Sequence, residues 1–165
     1  MADKKVVVIG CLLHDLGKFE CEENVDHGRL SAAFAKPFLQ TLDLTEKEIA
    51  DICFSIASHV DGKAGYEYED ILEAKIVTDA DNIDRFSSSK ILMSKLWSIR
   101  DGKRAPASEV QYLEKRIKRM REMINQDVLE TDSGNALFKE KLKLSIHFYH
   151  TLIEDLKITH EPVWL

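Results

Sequence analysis

Histidines and aspartates dominate the chemistry available to this 165-residue chain, which holds six histidines. His14 and Asp15 are adjacent and directly follow the apolar run 6–13. Neighbours on a helix point about 100° apart, too far to share a face but suited to gripping one ion from two sides. Placing an ionisable pair at the end of such a run is unfavourable unless a metal or a partner compensates. His27 opens one candidate helix, His59 closes another, and Asp79, Asp81 and Asp84 cluster on a fourth. Imidazoles with carboxylates make a nitrogen–oxygen site, suited to iron, manganese, zinc or magnesium and poor for copper(I) or an iron–sulfur cluster. Asp81 and Asp84 share a helix face at i, i+3, and Asp79 lies off it. One of them as a ligand, with another orienting a ligand histidine, is ordinary practice around metals. A structural alternative stands beside this: Asp15 caps or pairs with Lys18, and His14 is a hydrogen-bonded core histidine.

The elements that must position these residues read as helices throughout. Glycine (7) and proline (3) are scarce, and no alternating runs flank an Asn-Gly type turn. A buried helix is expected over about 4–16, stopped by Gly17. A second starts near Asp26 and carries Leu30, Ala33, Phe34, Phe38 and Leu42 inward, with a kink at Pro37. Thr45-Glu46-Lys47-Glu48 is a capping box opening a third, through Ile49, Ile52, Cys53 and Ile56 to about Ser58. Residues 59–65 form a loop, and a fourth helix covers about 68–86 with Ile71, Leu72, Ile76 and Ile83 inward. Ser87–Ser89 and Asp101-Gly102-Lys103 bracket a short element around 91–99. A long helix capped at Ser108 carries the stripe Val110, Leu113, Ile117, Met120, Ile124. The last opens at Asp132 or Ser133 and runs through Leu137, Leu142, Leu144, Phe148, Leu152 and Leu156. The class is all-α: one domain over 1–165, with a motif-bearing core at about 4–86 and a helical part at about 87–165.

Composition narrows the partners. Apolar residues make up 44% and charged residues 32%, and a chain of this length buries roughly two-thirds of its surface without a disulfide. A net charge of −6 argues against non-specific binding to a nucleic-acid duplex or an anionic membrane, both of which need a basic surface, while leaving room for a local basic patch that holds a phosphate. The longest apolar run, eight residues, is far short of the ~20 that span a bilayer, and no cleavage site makes it a signal peptide. Cys11, Cys21 and Cys53 form no Cys-x-x-Cys pair and read as reduced thiols, so a cytoplasmic location is expected. The basic run Lys115, Arg116, Lys118, Arg119, Arg121 wraps its helix as a solvated face. The Val110–Ile124 stripe is expected to pack on the last helix, and a homodimer interface is its alternative use.

His14-Asp15-Leu16-Gly17-Lys18, after an apolar helix, resembles the signature of the HD-domain metal-dependent phosphohydrolases. Residues 78–85, Thr-Asp-Ala-Asp-Asn-Ile-Asp-Arg, resemble that family's late aspartate motif, in which the second aspartate binds metal. Asp26-His27-Gly28 and Ser58-His59-Val60 resemble the additional histidines of members that hold two metals. The resemblance covers about 4–86 and implies an HD-like helical bundle. It implies that Asp15 bridges two divalent ions, one also held by His14 and Asp81, the other by His27 and His59. Asp79 and Asp84 are then supporting groups, while Lys18 and, more weakly, Arg85 are candidates to contact a phosphate oxygen.

One element of the family pattern is missing. The family's first metal histidine lies on a helix before the HD helix, and residues 1–13 contain no histidine and barely start one helix. Either the start is truncated, or coordination of the first ion is completed by water, by another chain, or by His147, His150 or His160. The expected activity is hydrolysis of a nucleotide or other small phosphoester by a metal-activated water. The rivals are a non-catalytic regulatory or interaction module on the same fold and a di-iron oxygenase with the same ligand set.

Overall fold

Asp3 opens the first helix. Its carboxylate accepts hydrogen bonds from the backbone amides of Lys5 (2.8 Å) and Val6 (3.4 Å), capping α1, Lys4–Leu13. The structure, a computed structural model, describes residues 1–21, 27–100 and 106–158. After α1 come α2 (His27–Leu39), α3 (Glu46–Ser58), α4 (Leu72–Asp84), α5 (Ser88–Arg100), α6 (Pro106–Ile124) and α7 (Asp132–Ile158). No strand occurs among the described residues, and the fold is all-α. None of these helices is long and apolar enough to cross a membrane. The chain divides into two compact units, Met1–Asn82 and Ile83–Leu165.

In the first unit α1 and α2 pack on α3 around Val6, Ala35, Leu39, Ile52 and Ile56, all at most 1% exposed. The capping box at the start of α3 is formed: Thr45 receives the amide of Glu48, and the Glu48 carboxylate receives the amide of Thr45. That carboxylate also takes a 2.5 Å hydrogen bond from Lys5 at the start of α1, and the Lys5 ammonium with the Thr45 donors holds Glu48 at a pKa of about 2. Asp3 N–H donates to Glu73 in the first turn of α4 at 2.6 Å. At the other end, the rings of His14 and His59, the C-caps of α1 and α3, have centroids 4.9 Å apart. Asp81, near the end of α4, lies 3.6 Å from His14. Helices α1, α3 and α4 therefore start together and finish together.

Two glycines allow this closeness. A Cβ on Gly28 would stand 2.7 Å from the Ala57 carbonyl oxygen and 3.2 Å from His59 Nδ1, and one on Gly10 would stand 3.0 Å from Val77. Helix α2 can cross α3 this closely because Gly28 carries no side chain, and Gly10 leaves room for Val77 of α4 beside α1.

Several boundaries and faces differ from the sequence reading. Helix α1 ends at Leu13 instead of Leu16, and residues 14–20 continue in tighter turns, with Leu16, Lys18 and Glu20 amides bonding carbonyls three residues back. The Cys11 carbonyl is taken by the His14 ring, and the Gly17 amide donates to Ser31 Oγ at 2.9 Å, which pulls the chain off the helical path. Helix α2 runs through Pro37 to Leu39 and buries Ser31, Ala32, Ala35 and Leu39, while the expected Phe34, Phe38 and Leu42 are 49%, 53% and 38% exposed. A close helix crossing selects small residues and turns the large ones outward. Helix α4 begins at Leu72, which is exposed, and buries Ala74 and Val77 instead; Tyr68 is held before it by its hydroxyl on Asp51. The expected start at Asp26 and the Asp101-Gly102-Lys103 turn lie outside the described residues.

The second unit packs α6 on α7. The expected stripe supplies Leu113, Ile117 and Met120, all buried, and Pro106 starts α6 two residues before the predicted cap. Helix α7 buries Phe138, Leu142, Ser145, Tyr149 and Ile153 and leaves Leu137, Leu144 and Phe148 exposed. On the buried face Phe138 packs edge-on against Phe86 with centroids 5.1 Å apart. Gly28→Ala should lower the unfolding free energy by about 1–3 kcal/mol in a denaturant titration, since backbone rather than a flexible side chain blocks the added methyl. An unchanged midpoint would show that α2 and α3 can separate freely there.

Candidate metal centre

His14 and His59 are prepared in the same way. Each caps the C-terminus of its helix, and each donates from Nδ1 to the carbonyl three residues back, Cys11 O and Ile56 O, both at 2.7 Å. A carbonyl can only accept, so Nδ1 carries the proton and the neutral ring presents a bare Nε2 lone pair. Orphan carbonyls of a last helical turn thus select the tautomer that can bind a metal. His27, the first residue of α2 and 7% exposed, brings its Nε2 to 3.2 Å from that of His59.

Asp15 lies among these rings. Its Oδ1 is 3.3 Å from His27 Nε2 and 3.9 Å from His59 Nε2, while its Oδ2 is 3.6 Å from His14 Nε2. Asp81 Oδ1 also stands 3.6 Å from His14 Nε2. Lys18 closes the outer side with an ammonium 2.6 Å from Asp15 Oδ2. Asp15 Oδ1 is buried and accepts no hydrogen bond, an arrangement that is costly for a carboxylate oxygen unless a cation faces it.

These donors fit a divalent ion. Nitrogen and oxygen ligands about 2.0–2.2 Å from one centre stand roughly 3.0–3.6 Å from each other. Four of the five donor separations, 3.2, 3.3, 3.6 and 3.6 Å, lie in that window, and the fifth, 3.9 Å, is slightly longer. His14, Asp15 and His59 offer ligand atoms that all lie within 4.8 Å of one another. The two Asp15 oxygens face different rings: Oδ1 the pair His27 and His59, Oδ2 the ring of His14 with Asp81 beyond it.

Residues 1–85, just over half of the chain, match the HD domain. The chain belongs to the HD domain family. Membership places it in a superfamily of metal-dependent phosphohydrolases and accounts for the helical core in which the HD pair ends α1. No curated protein and no solved structure matches the chain.

The electrostatics of the HD pair suit ion binding. The Asp81 carboxylate, 3.6 Å from Nε2, favours the protonated ring and raises the His14 pKa, burial opposing it and the Cys11 carbonyl adding to it. Burial tends to raise Asp15, but the bond from Lys18 and the charge of His14 outweigh it and hold the carboxyl below its usual range. Burial lowers His59, as do the charges of His14 and His27.

The remaining candidate residues sit elsewhere or in other roles. Asp79 is 3% exposed on α4, two residues before Asp81. Asp84 belongs to the second unit's side of α4, half-exposed and paired with Lys90 at 3.4 Å, and Arg85 is exposed. His147 and His150 are exposed on α7, where His150 Nε2 accepts a hydrogen bond from Arg121 at 2.9 Å; His160 lies outside the described residues. Sequence reasoning missed the supporting groups Gly28, Ser31 and the carbonyls of Cys11 and Ile56. A glycine directly after a candidate ligand, in a chain with seven, was the available signal.

Metal content should follow this geometry. His14→Ala or Asp15→Ala should strip manganese from the purified protein, His27→Ala should lower the stoichiometry by about one ion per chain, and His150→Ala should leave it unchanged. Elemental analysis checks all four. Because the raised His14 proton must leave before Nε2 can donate, manganese affinity should fall as pH drops from about 8 to about 6.5. Calorimetric titration showing equal affinity at both pH values would remove His14 from the ligand set.

Proposed function

We propose that the chain hydrolyses a nucleotide or another small phosphoester in a metal-dependent reaction at the His14, Asp15, His27, His59, Asp81 cluster. The observation that carries this reading is Asp15, whose two oxygens face separate imidazole sets and one of which is buried without a hydrogen bond. His27 and His59 with Asp15 Oδ1 would hold one ion, and His14, Asp81 and Asp15 Oδ2 the other. The donor set suits iron, manganese, zinc or magnesium. A bound divalent ion supplies a water of lowered pKa and offsets negative charge on phosphoryl oxygens.

The chain's own residues do the rest. The backbone carbonyls behind His14 and His59 keep both rings in register and unable to turn away. Lys18, 43% exposed at its side chain, carries a positive charge at the outer edge of Asp15, where a phosphate oxygen can exchange for part of the carboxylate's hold on it. Its position next to Gly17, whose amide is fixed by Ser31, keeps that charge at the rim. The three free thiols support a reducing, cytoplasmic setting.

Phosphate release from a panel of nucleoside monophosphates and simple phosphoesters tests the proposal. Manganese-loaded protein should turn over at least one of them, with loss of two orders of magnitude or so on chelation or in Asp15→Asn. Lys18→Gln should keep its metal but lower kcat/KM by about tenfold, near 1.4 kcal/mol. If no phosphoester is hydrolysed by fully loaded protein, a regulatory role for the metal-bearing fold replaces the enzymatic one.

A further inference from the structure

On α2 and α3 lies a cleft of about 610 Å³ that contains none of the metal-centre residues. Its size falls in the range of pockets that take small organic ligands. The floor is flat, because Ala32, Ala33, Ala50 and Ala57 line it with Ala64 from the following loop. Side chains one or two methylenes longer at these positions would fill much of that space. Tyr66 and Tyr68 form one wall, and the tier is firm: Tyr68 stacks on Phe54 with centroids 4.8 Å apart and bonds Asp51 through its hydroxyl. Tyr66 meets Phe54 edge-on and remains 50% exposed, so it offers a ring to an occupant.

Charge completes the description. Arg29 lies at the loop end, held by Asp61 at 3.2 Å and the Lys63 carbonyl at 3.0 Å. Lys36 lines it too, makes no ion pair with a described acid, and lies close enough to the buried Cys53 thiol to counter part of the rise that burial causes. Glu46 is the acid among the lining residues, at the other end. In a chain of net charge −6, the lining carries two cations, Arg29 and Lys36, against the one acid.

We propose that the cleft binds a small anion carrying a flat aromatic ring, at a site separate from the metal centre. The ring lies on the alanine floor beside Tyr66, and the anionic group meets Lys36. This assignment does not depend on the hydrolytic reading, and its test runs on the full chain without substrate. The probes are 8-anilinonaphthalene-1-sulfonate and its uncharged counterpart N-phenyl-1-naphthylamine, followed by fluorescence. The sulfonate should bind saturably with one probe per chain. Ala33→Trp, on an exposed helix position, should abolish binding of both probes while leaving the far-ultraviolet circular dichroism unchanged. Lys36→Gln should weaken the sulfonate roughly two- to fivefold and leave the neutral probe unaffected. Asp15→Asn should bind both as the wild type does. Undiminished binding in Ala33→Trp, equal effects of Lys36→Gln on the two probes, or loss of binding in Asp15→Asn would each overturn the proposal.

Discussion

A single buried carboxylate oxygen, Asp15 Oδ1, sets the terms for the first unit. It accepts no hydrogen bond, and the Nε2 atoms of His27 and His59 stand 3.3 and 3.9 Å from it. Such an oxygen is tolerable when a cation lies beside it and unfavourable otherwise. The surrounding packing is organised around that condition. Gly28 lets α2 approach α3 so that His27 meets His59, Gly10 lets α1 lie on α4 so that His14 meets Asp81, and Ser31 fixes the turn after the pair. Positions that a larger side chain would stabilise elsewhere are held small here.

Much of this was legible in the sequence because the informative residues are punctuation. The capping box at Thr45 and the adjacency of His14 and Asp15 are local patterns, and local patterns read directly. The HD motif with its two spaced histidines and late aspartate pointed to the family that residues 1–85 match. The buried faces were less legible. Hydrophobic spacing in α2 selected Phe34 and Phe38, but the crossing with α3 demanded Gly28, Ser31 and Ala35, and tertiary closeness overrode apolar size. In α7 the spacing selected Leu137 and Leu144, whereas the core took Phe138 and Tyr149, one residue along in the first case. Two amphipathic faces that differ by one residue are nearly degenerate in sequence, and the partner helix decides between them.

Among the late aspartates, the resemblance gave the ligand role to Asp81 and a supporting role to Asp79 and Asp84. Asp81 and Asp84 share a face, but Asp84 is drawn to Lys90, and Asp81 alone approaches His14. A side chain's partner is set by what else it can reach, and spacing on one helix does not contain that information.

The common alignment of α1, α3 and α4 has an electrostatic consequence. Each helix carries aligned peptide dipoles, equivalent to roughly half a negative charge at its C-terminal end. With their starts tied through Lys5–Glu48 and Asp3–Glu73, these helices bring three such ends toward His14, His59 and Asp81. The last-turn carbonyls of Cys11 and Ile56 direct part of that negative potential through the imidazole rings, making Nε2 a better electron donor. The backbone therefore contributes a field that favours a cation at this end of the bundle before any carboxylate is counted. A metal site built this way draws on the helix directions themselves, and that contribution would persist in a variant that had lost one of its acidic ligands.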